Sequence, residues 1–213
     1  MVRSLLLSFV AVGGLAGCKN DGAAATTEKK VKDEPGKKLA GVWPDKFQCD
    51  SVMPLTQLGE ILNGTPHVLD SPSSVPTGIA HPCTYEVTVS NAAEYWTFDF
   101  DCREGSKQRA DALFAQYKTG STDRIEQYDA IADAGIKPND AGVSITRPDP
   151  AVEVDVGAKG LDHNGQGLIF VDDDAPCYVR IVGPEAARRL ALAKALAKNL
   201  TFANAPMTPR AMP

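Results

Sequence analysis

Between residues 54 and 62 apolar side chains recur at helical spacing, at Leu55, Leu58, Ile61 and Leu62. Pro54, which suits a first helical turn, and Asn63-Gly64, which ends one, bracket a short predicted helix. The pattern then changes period. From Cys83 to Ser90, the residues Cys83, Tyr85, Val87 and Val89 alternate with Thr84, Glu86, Thr88 and Ser90. From Glu94 to Cys102, the residues Trp96, Phe98, Phe100 and Cys102 oppose Tyr95, Thr97, Asp99 and Asp101. A period of two sends neighbours to opposite faces, so the two runs predict an antiparallel hairpin, turned near Asn91, with one buried and one wet face.

Helical spacing returns after Ser106, a suitable N-cap, where Ala110, Leu113, Phe114 and Tyr117 form one stripe. Residues 125–150 have sparse apolar positions and are interrupted by Pro138, Pro148 and Pro150, so they are expected to be irregular, with at most one strand. Gly167–Val171 and Cys177–Val182 predict a second hairpin across Asp172-Asp173-Asp174-Ala175-Pro176. Pro184 opens a last helix whose buried stripe is Leu190, Ala193, Leu196, Ala197 and Leu200, with Lys194 and Lys198 outside it. The expected fold is α+β, an antiparallel sheet built from two hairpins and covered by two or three helices.

The amino terminus follows a different pattern. Arg3 precedes an apolar run, Leu5, Leu6, Leu7, Phe9, Val10, Ala11 and Val12, that is too short to span a bilayer and reads as a signal peptide. It leads into Leu15-Ala16-Gly17-Cys18, which resembles the lipobox of bacterial lipoproteins. That resemblance implies removal of residues 1–17 and acylation of the Cys18 thiol, which makes the lipid bilayer a partner. At about 0.8 kcal/mol per buried methylene, two or three acyl chains hold a protein firmly at a membrane. Lys19, where an Asp could stand, implies the outer membrane in a host that has one. Residues 18–40 then read as the lipidated Cys and a disordered tether, 41–202 as one domain, and 203–213, with Pro206, Pro209 and Pro213, as a disordered tail.

Composition narrows the class. A chain of 213 residues, 43% hydrophobic and 23% charged, suits a single globular domain. Its formal net charge of -5 and lack of a basic stripe argue against nucleic acid as a partner. A monomer is expected.

With Cys18 acylated, Cys49, Cys83, Cys102 and Cys177 remain, an even number for an oxidising compartment, so two disulfides are expected. Alternation places Cys83 and Cys102 on the inward faces of their hairpin, with Cys177 at the start of another strand. The favoured pairing is Cys49 with Cys83 and Cys102 with Cys177; the rival joins Cys83 to Cys102 across the hairpin. The chain runs from lipobox through polar spacer to Cys49 before a helix ending at Gly64, and then to Cys83-Thr84-Tyr85 opening a strand. Val156-Gly157-Ala158 and an Ala/Leu-rich closing helix complete this order, which resembles a family of small envelope lipoproteins called domain of unknown function 3558. Tyr85 stands where that family commonly has Trp, and the Cys102 and Cys177 pair is not attributable to it. The resemblance implies an exported, membrane-held domain and supplies no catalytic residue.

Candidate chemistry is thin. His67, His81 and His163 are the only histidines, and no G-x-S-x-G elbow is present, so no catalytic residue is expected. Cys49, His67, His81 and Cys83 are zinc-type ligands, but an exported Cys is more often half of a disulfide. Asp162-His163-Asn164-Gly165-Gln166-Gly167, with Ile169 and Asp173, loosely fits an EF-hand loop. Gln166 is an unusual ligand, Asp173 is shorter than the usual closing Glu, and Asn164-Gly165 signals a hairpin turn, so no metal and no cofactor are expected. Asp172 to Asp174 reads as a solvated loop tip. The candidate ligand surface is the wet face of Tyr95, Thr97, Asp99 and Asp101. The expected function is a non-catalytic envelope lipoprotein that binds or senses an unidentified protein or small molecule. The alternative is a small enzyme or accessory factor acting on cell-envelope material.

Overall fold

The alternating runs pair as their period requires. In the computed structural model, which describes residues 39–70, 74–134 and 147–211, the elements in chain order are β1 (Leu39–Ala40), α1 (Leu55–Leu62), β2 (Thr65–Leu69), β3 (Cys83–Val89), β4 (Ala92–Asp101), α2 (Ser106–Asp133), β5 (Val152–Val154), β6 (Lys159–His163), β7 (Gly167–Val171), β8 (Tyr178–Val182), α3 (Ala186–Asn199) and β9 (Arg210–Ala211). The expected signal peptide, Cys18 and the tether as far as residue 38 lie outside the described residues, as do residues 135–146.

β3 and β4 form the first hairpin, with Tyr85 opposite Trp96 and Cys83 opposite Phe98. Its two-residue turn puts Ser90 and Asn91 at φ 47° and 67°, the left-handed geometry that matches the twist of a hairpin. β7 and β8 form the second. The two hairpins join edge to edge through β4 and β8, and the seven-stranded order is β2-β3-β4-β8-β7-β6-β5, each neighbour antiparallel. The α+β class and both bridges agree with the sequence reading; β2, β5 and β6 extend the sheet beyond the two hairpins. β2 hugs β3 because Gly64 lacks a Cβ, which would sit 2.7 Å from the Thr88 carbonyl oxygen.

One sheet face carries the main core. Tyr85, Val87, Trp96, Phe98, Phe100, Leu168, Phe170, Val179 and Ile181 are buried there with Leu58 and Leu62 of α1 and Leu192, Ala193 and Leu196 of α3. Each such side chain contributes about 1.5–3 kcal/mol on burial, which makes this face the main source of stability. Trp96 lies so close to the chain before α3 that a Cβ on Gly183 would stand 2.1 Å from its ring.

The opposite face is not simply wet. α2 lays Ala110 and Phe114 on Leu161, Ile169 and Val171. β7 is therefore buried on both sides, in keeping with its unbroken apolar run, whereas β3 and β4 alternate.

Three expectations need correction. α2 does not end near residue 124; it runs 28 residues to Asp133. Its second half has only a sparse apolar stripe, Ile125, Tyr128 and Ile131, none of it fully buried, and polar contacts help to hold it. The Ala151 amide donates to Ser121 Oγ at 2.8 Å and Arg147 reaches Asp129 at 2.9 Å. Ser106 is not the N-cap, a place taken by Gly105 at φ 75°, because its hydroxyl donates instead to the Pro176 carbonyl at 2.7 Å. The third concerns the ends of the domain. Leu39 and Ala40, assigned to the tether, pair with Ala211 and Arg210 of the supposed tail. Ala205 and Met207 are buried, and the Val42 amide donates to the Ala205 carbonyl at 2.8 Å. Pro-rich sequence lacks local order, but strand pairing with residues far away in the chain supplies the missing hydrogen bonds.

Candidate functional site

Local sequence dictates where the cysteines stand, and packing brings them together. Cys49, in a 3-10 turn before α1, is bonded to Cys83 at the start of β3, with Cα atoms 5.7 Å apart. Cys102, just past β4, is bonded to Cys177, just before β8, so β4 and β8 are stapled at one end. The rival Cys83 to Cys102 bridge does not form. With separations of 34 and 75 residues, each bridge removes loop entropy worth roughly 4 kcal/mol from the unfolded chain.

The four candidate ligand residues of β4 do not make one site. Tyr95 is 60% exposed and pairs across the register with Glu86, whose hydrogen bond raises the phenol pKa. Thr97 is half-buried opposite Val182. Asp99 accepts two hydrogen bonds from Arg180, at 2.7 and 2.9 Å. Asp101 is only 3% exposed, because Arg103 and Arg109 close over it with contacts of 2.7 to 3.0 Å. Burial alone would raise its carboxyl, but hydrogen bonds from Arg103 and Arg109 outweigh it and hold the group well below the usual carboxylate range. Polar alternation marked the face correctly, yet α2 and its arginines cover one end of it.

Asp162, first in the loop that loosely fits calcium spacing, faces α3 and accepts from Arg189 at 2.7 and 2.8 Å, in a pair that is buried on both sides. His163 points to the other face, buried beside Tyr117, and its Nδ1 has no partner among the described residues. Residues 164–166 make the β6–β7 hairpin turn, as their Asn-Gly signal predicts. His67 and His81 are exposed, far along the chain from His163, and both sulfurs of the zinc-type set are in the Cys49–Cys83 bridge. Among the described residues no group of three or more His, Cys, Asp or Glu is placed to hold a metal ion.

The acidic turn also departs from expectation. Asp172 is 1% exposed rather than solvated, and its Oδ2 accepts the amides of Asp174 and Ala175 at 3.0 and 2.7 Å. Burial raises its pKa, with the charges of Asp173 and Asp174 adding to the effect. Asp174 in turn accepts the Phe202 amide at 3.0 Å and ties the carboxyl-terminal segment down.

Among the described residues, a cavity of about 710 Å³ where α2 begins has the size of a binding site. Arg103 and Glu104 line it from the turn before α2, Lys107 from the first turn of α2, Gly78 from the loop before β3, Pro176 from the hairpin turn, and Met207 and Arg210 from the carboxyl-terminal segment. Its position follows from the fold. The Cys102–Cys177 bridge and the Ser106 to Pro176 hydrogen bond fix two walls, and β1–β9 pairing holds the third. Asp101 anchors Arg103 beside it. Sequence reasoning missed the cavity because its walls come from four distant segments; the only local signal was the run of cations around Ser106.

Comparison of the chain with family models, with curated proteins and with solved structures gives no match.

Proposed function

We propose that the protein is an envelope lipoprotein, anchored to a membrane through acylated Cys18, whose α+β domain binds or senses a ligand without catalysing a reaction. Cysteine use carries the reading. The chain has five cysteines, and four of them close on one another in two bridges. Cys18, directly behind Leu15-Ala16-Gly17 and an apolar run, is left without a cysteine partner in the chain. Two closed disulfides support an oxidising, exported setting, and the thiol left over stands where a lipobox would acylate it. The likeness to domain of unknown function 3558 belongs to the same proposal, supported by Cys49 standing ahead of α1 and Cys83 opening β3.

Labelled palmitate supplied to cells expressing the full chain tests the anchor. Wild-type protein is expected to take up label and to stay with membranes through a salt wash, and Cys18→Ser to do neither while keeping its fold. Membrane retention of Cys18→Ser after a salt wash would reassign anchoring to the folded domain.

A further inference from the structure

We propose that the cavity at the start of α2 is a recognition site for a phosphate monoester, carried by a small molecule or a lipid headgroup; this deepens, and rests on, the ligand-binding reading above. Charge segregation is the first argument. The chain as a whole has a formal net charge of -5. Around this cavity the balance is reversed. Arg103, Lys107 and Arg210 line it, and Arg109 bonds both Asp101 and the Glu104 carbonyl behind its wall. These four cations meet two carboxylates, Asp101 and Glu104.

The surplus is not absorbed elsewhere. Asp101 is shared by Arg103 and Arg109, so that trio alone keeps one net positive charge. Among the described residues neither Lys107 nor Arg210 has a carboxylate partner, and the Arg210 guanidinium lies 4.8 Å from the Phe202 ring centroid instead. Lys107 comes from the first turn of α2 and Arg210 from the carboxyl-terminal segment, so two separate segments each bring a cation to the cavity lining. A phosphate monoester carries about -1.5 to -2 at neutral pH and matches a surplus of this size, whereas a single carboxylate would leave part of it unmatched. The apolar surfaces of Met207 and Pro176 in the same wall can take the uncharged remainder of such a ligand.

Shape supplies the second argument. A volume of about 710 Å³ falls within the range of small-molecule sites and far exceeds the needs of one ion. The walls are also held in advance, by a disulfide, by the Ser106 to Pro176 hydrogen bond and by Asp101 beneath Arg103. Binding would therefore order few groups beyond the Lys107 and Arg210 side chains.

The test uses the full chain carrying Cys18→Ser, so that acyl chains do not contribute. Titration calorimetry with glycerol 3-phosphate reads the soluble form of the ligand, and flotation with phosphatidylcholine vesicles with or without phosphatidic acid reads the lipid form. Saturable binding in either assay is expected, falling at least tenfold in Lys107→Gln/Arg210→Gln and unchanged in Lys194→Gln on the outer side of α3. Response to glycerol 3-phosphate assigns a soluble ligand, and response to vesicles alone assigns a headgroup. Lys107→Gln by itself, at an exposed position, should weaken binding with an unchanged melting temperature, which separates loss of the site from loss of fold. No response in either assay, or a response that the double variant leaves unchanged, overturns the proposal. Palmitate labelling of the wild-type chain stays independent: an intact label without phosphate binding removes only the cavity assignment, and an unlabelled Cys18 removes only the anchor.

Discussion

The two faces of the sheet are built from different materials. Toward α1 and α3 the buried side chains are mostly large and apolar, and the charged one among them, Arg189 at 1% exposure, is engaged by Asp162 and the Gly183 carbonyl, while the Tyr85 hydroxyl is buried without a partner among the described residues. Toward α2 a small apolar patch is ringed by charges. Asp101 holds Arg103 and Arg109, Asp99 holds Arg180, and Lys159 reaches Asp111 at 2.9 Å while lying over the Phe114 ring. The first face gains its energy from burial, which is non-directional and tolerates small shifts. The second depends on hydrogen-bonded ion pairs, which are directional and fix where groups stand. The cavity opens beyond the end of β4, where the turn into α2 meets the carboxyl-terminal segment, and it is lined from both materials: the apolar Met207 of the main core and the charged Arg103 and Lys107.

The largest effect expected from breaking this contrast is on the first face. Phe98→Ala should cost about 3–5 kcal/mol in chemical denaturation, with fluorescence and circular dichroism transitions shifting together, because the α1/α3 core is a single unit. Coincident loss across probes is the decisive feature. A cost under about 1 kcal/mol would mean that this face is not the main source of stability.

Phe114→Ala should cost less, about 3 kcal/mol, since fewer buried neighbours surround it and α2 can settle onto the gap. Hydrogen exchange should show the loss as local, with faster exchange along α2 and unchanged protection in β3 and β4. Uniform acceleration would show that the two faces unfold as one.

The smallest effect concerns charge. Asp101→Asn should cost about 1.5–3 kcal/mol at neutral pH, the range for hydrogen bonds to charged groups. The Asp101 pKa is depressed in the folded state. Its contribution is therefore fully present above the unfolded value of about 3.9 and is lost as pH falls through the lower folded value. The gap between wild type and Asp101→Asn should close in acid. Asp172 has the opposite sign, since its folded pKa is raised: its charged form costs stability at neutral pH, and the cost shrinks as pH falls through the folded value and is gone below the unfolded value of about 3.9. A stability difference for Asp101→Asn that stays flat from pH 7 to pH 2 would remove the ion-pair account of the α2 face.

Much of the first face was legible along the chain. Trp96, Phe98 and Phe100 are buried as their alternation demands, as are Leu58 and Leu62 of α1, Ala193 and Leu196 of α3, and Leu200 at its C-cap. Little of the second was. Asp101 and Asp172 read as wet residues, and each is buried because something from elsewhere covers it: arginines of the α2 start over Asp101, its own turn and the neighbouring chain over Asp172. In the second half of α2 the apolar positions Ile125, Tyr128 and Ile131 are few and only half-buried or exposed, so periodicity gave a weak signal there.

What the sequence determined by itself was therefore periodic or countable: the hairpin with its Asn91 turn, the stripes of α1 and α3, and an even set of cysteines beyond Cys18. Period 2 and period 3.6 are properties of neighbouring residues, and they act before any distant contact forms. The tertiary structure alone decided that β4 lies beside β8, that Cys102 therefore finds Cys177, that residues 39–40 pair with 210–211, and that four separate segments line one open cavity. Those outcomes join residues tens of positions apart, and only the burial of a shared core makes closing such long loops favourable.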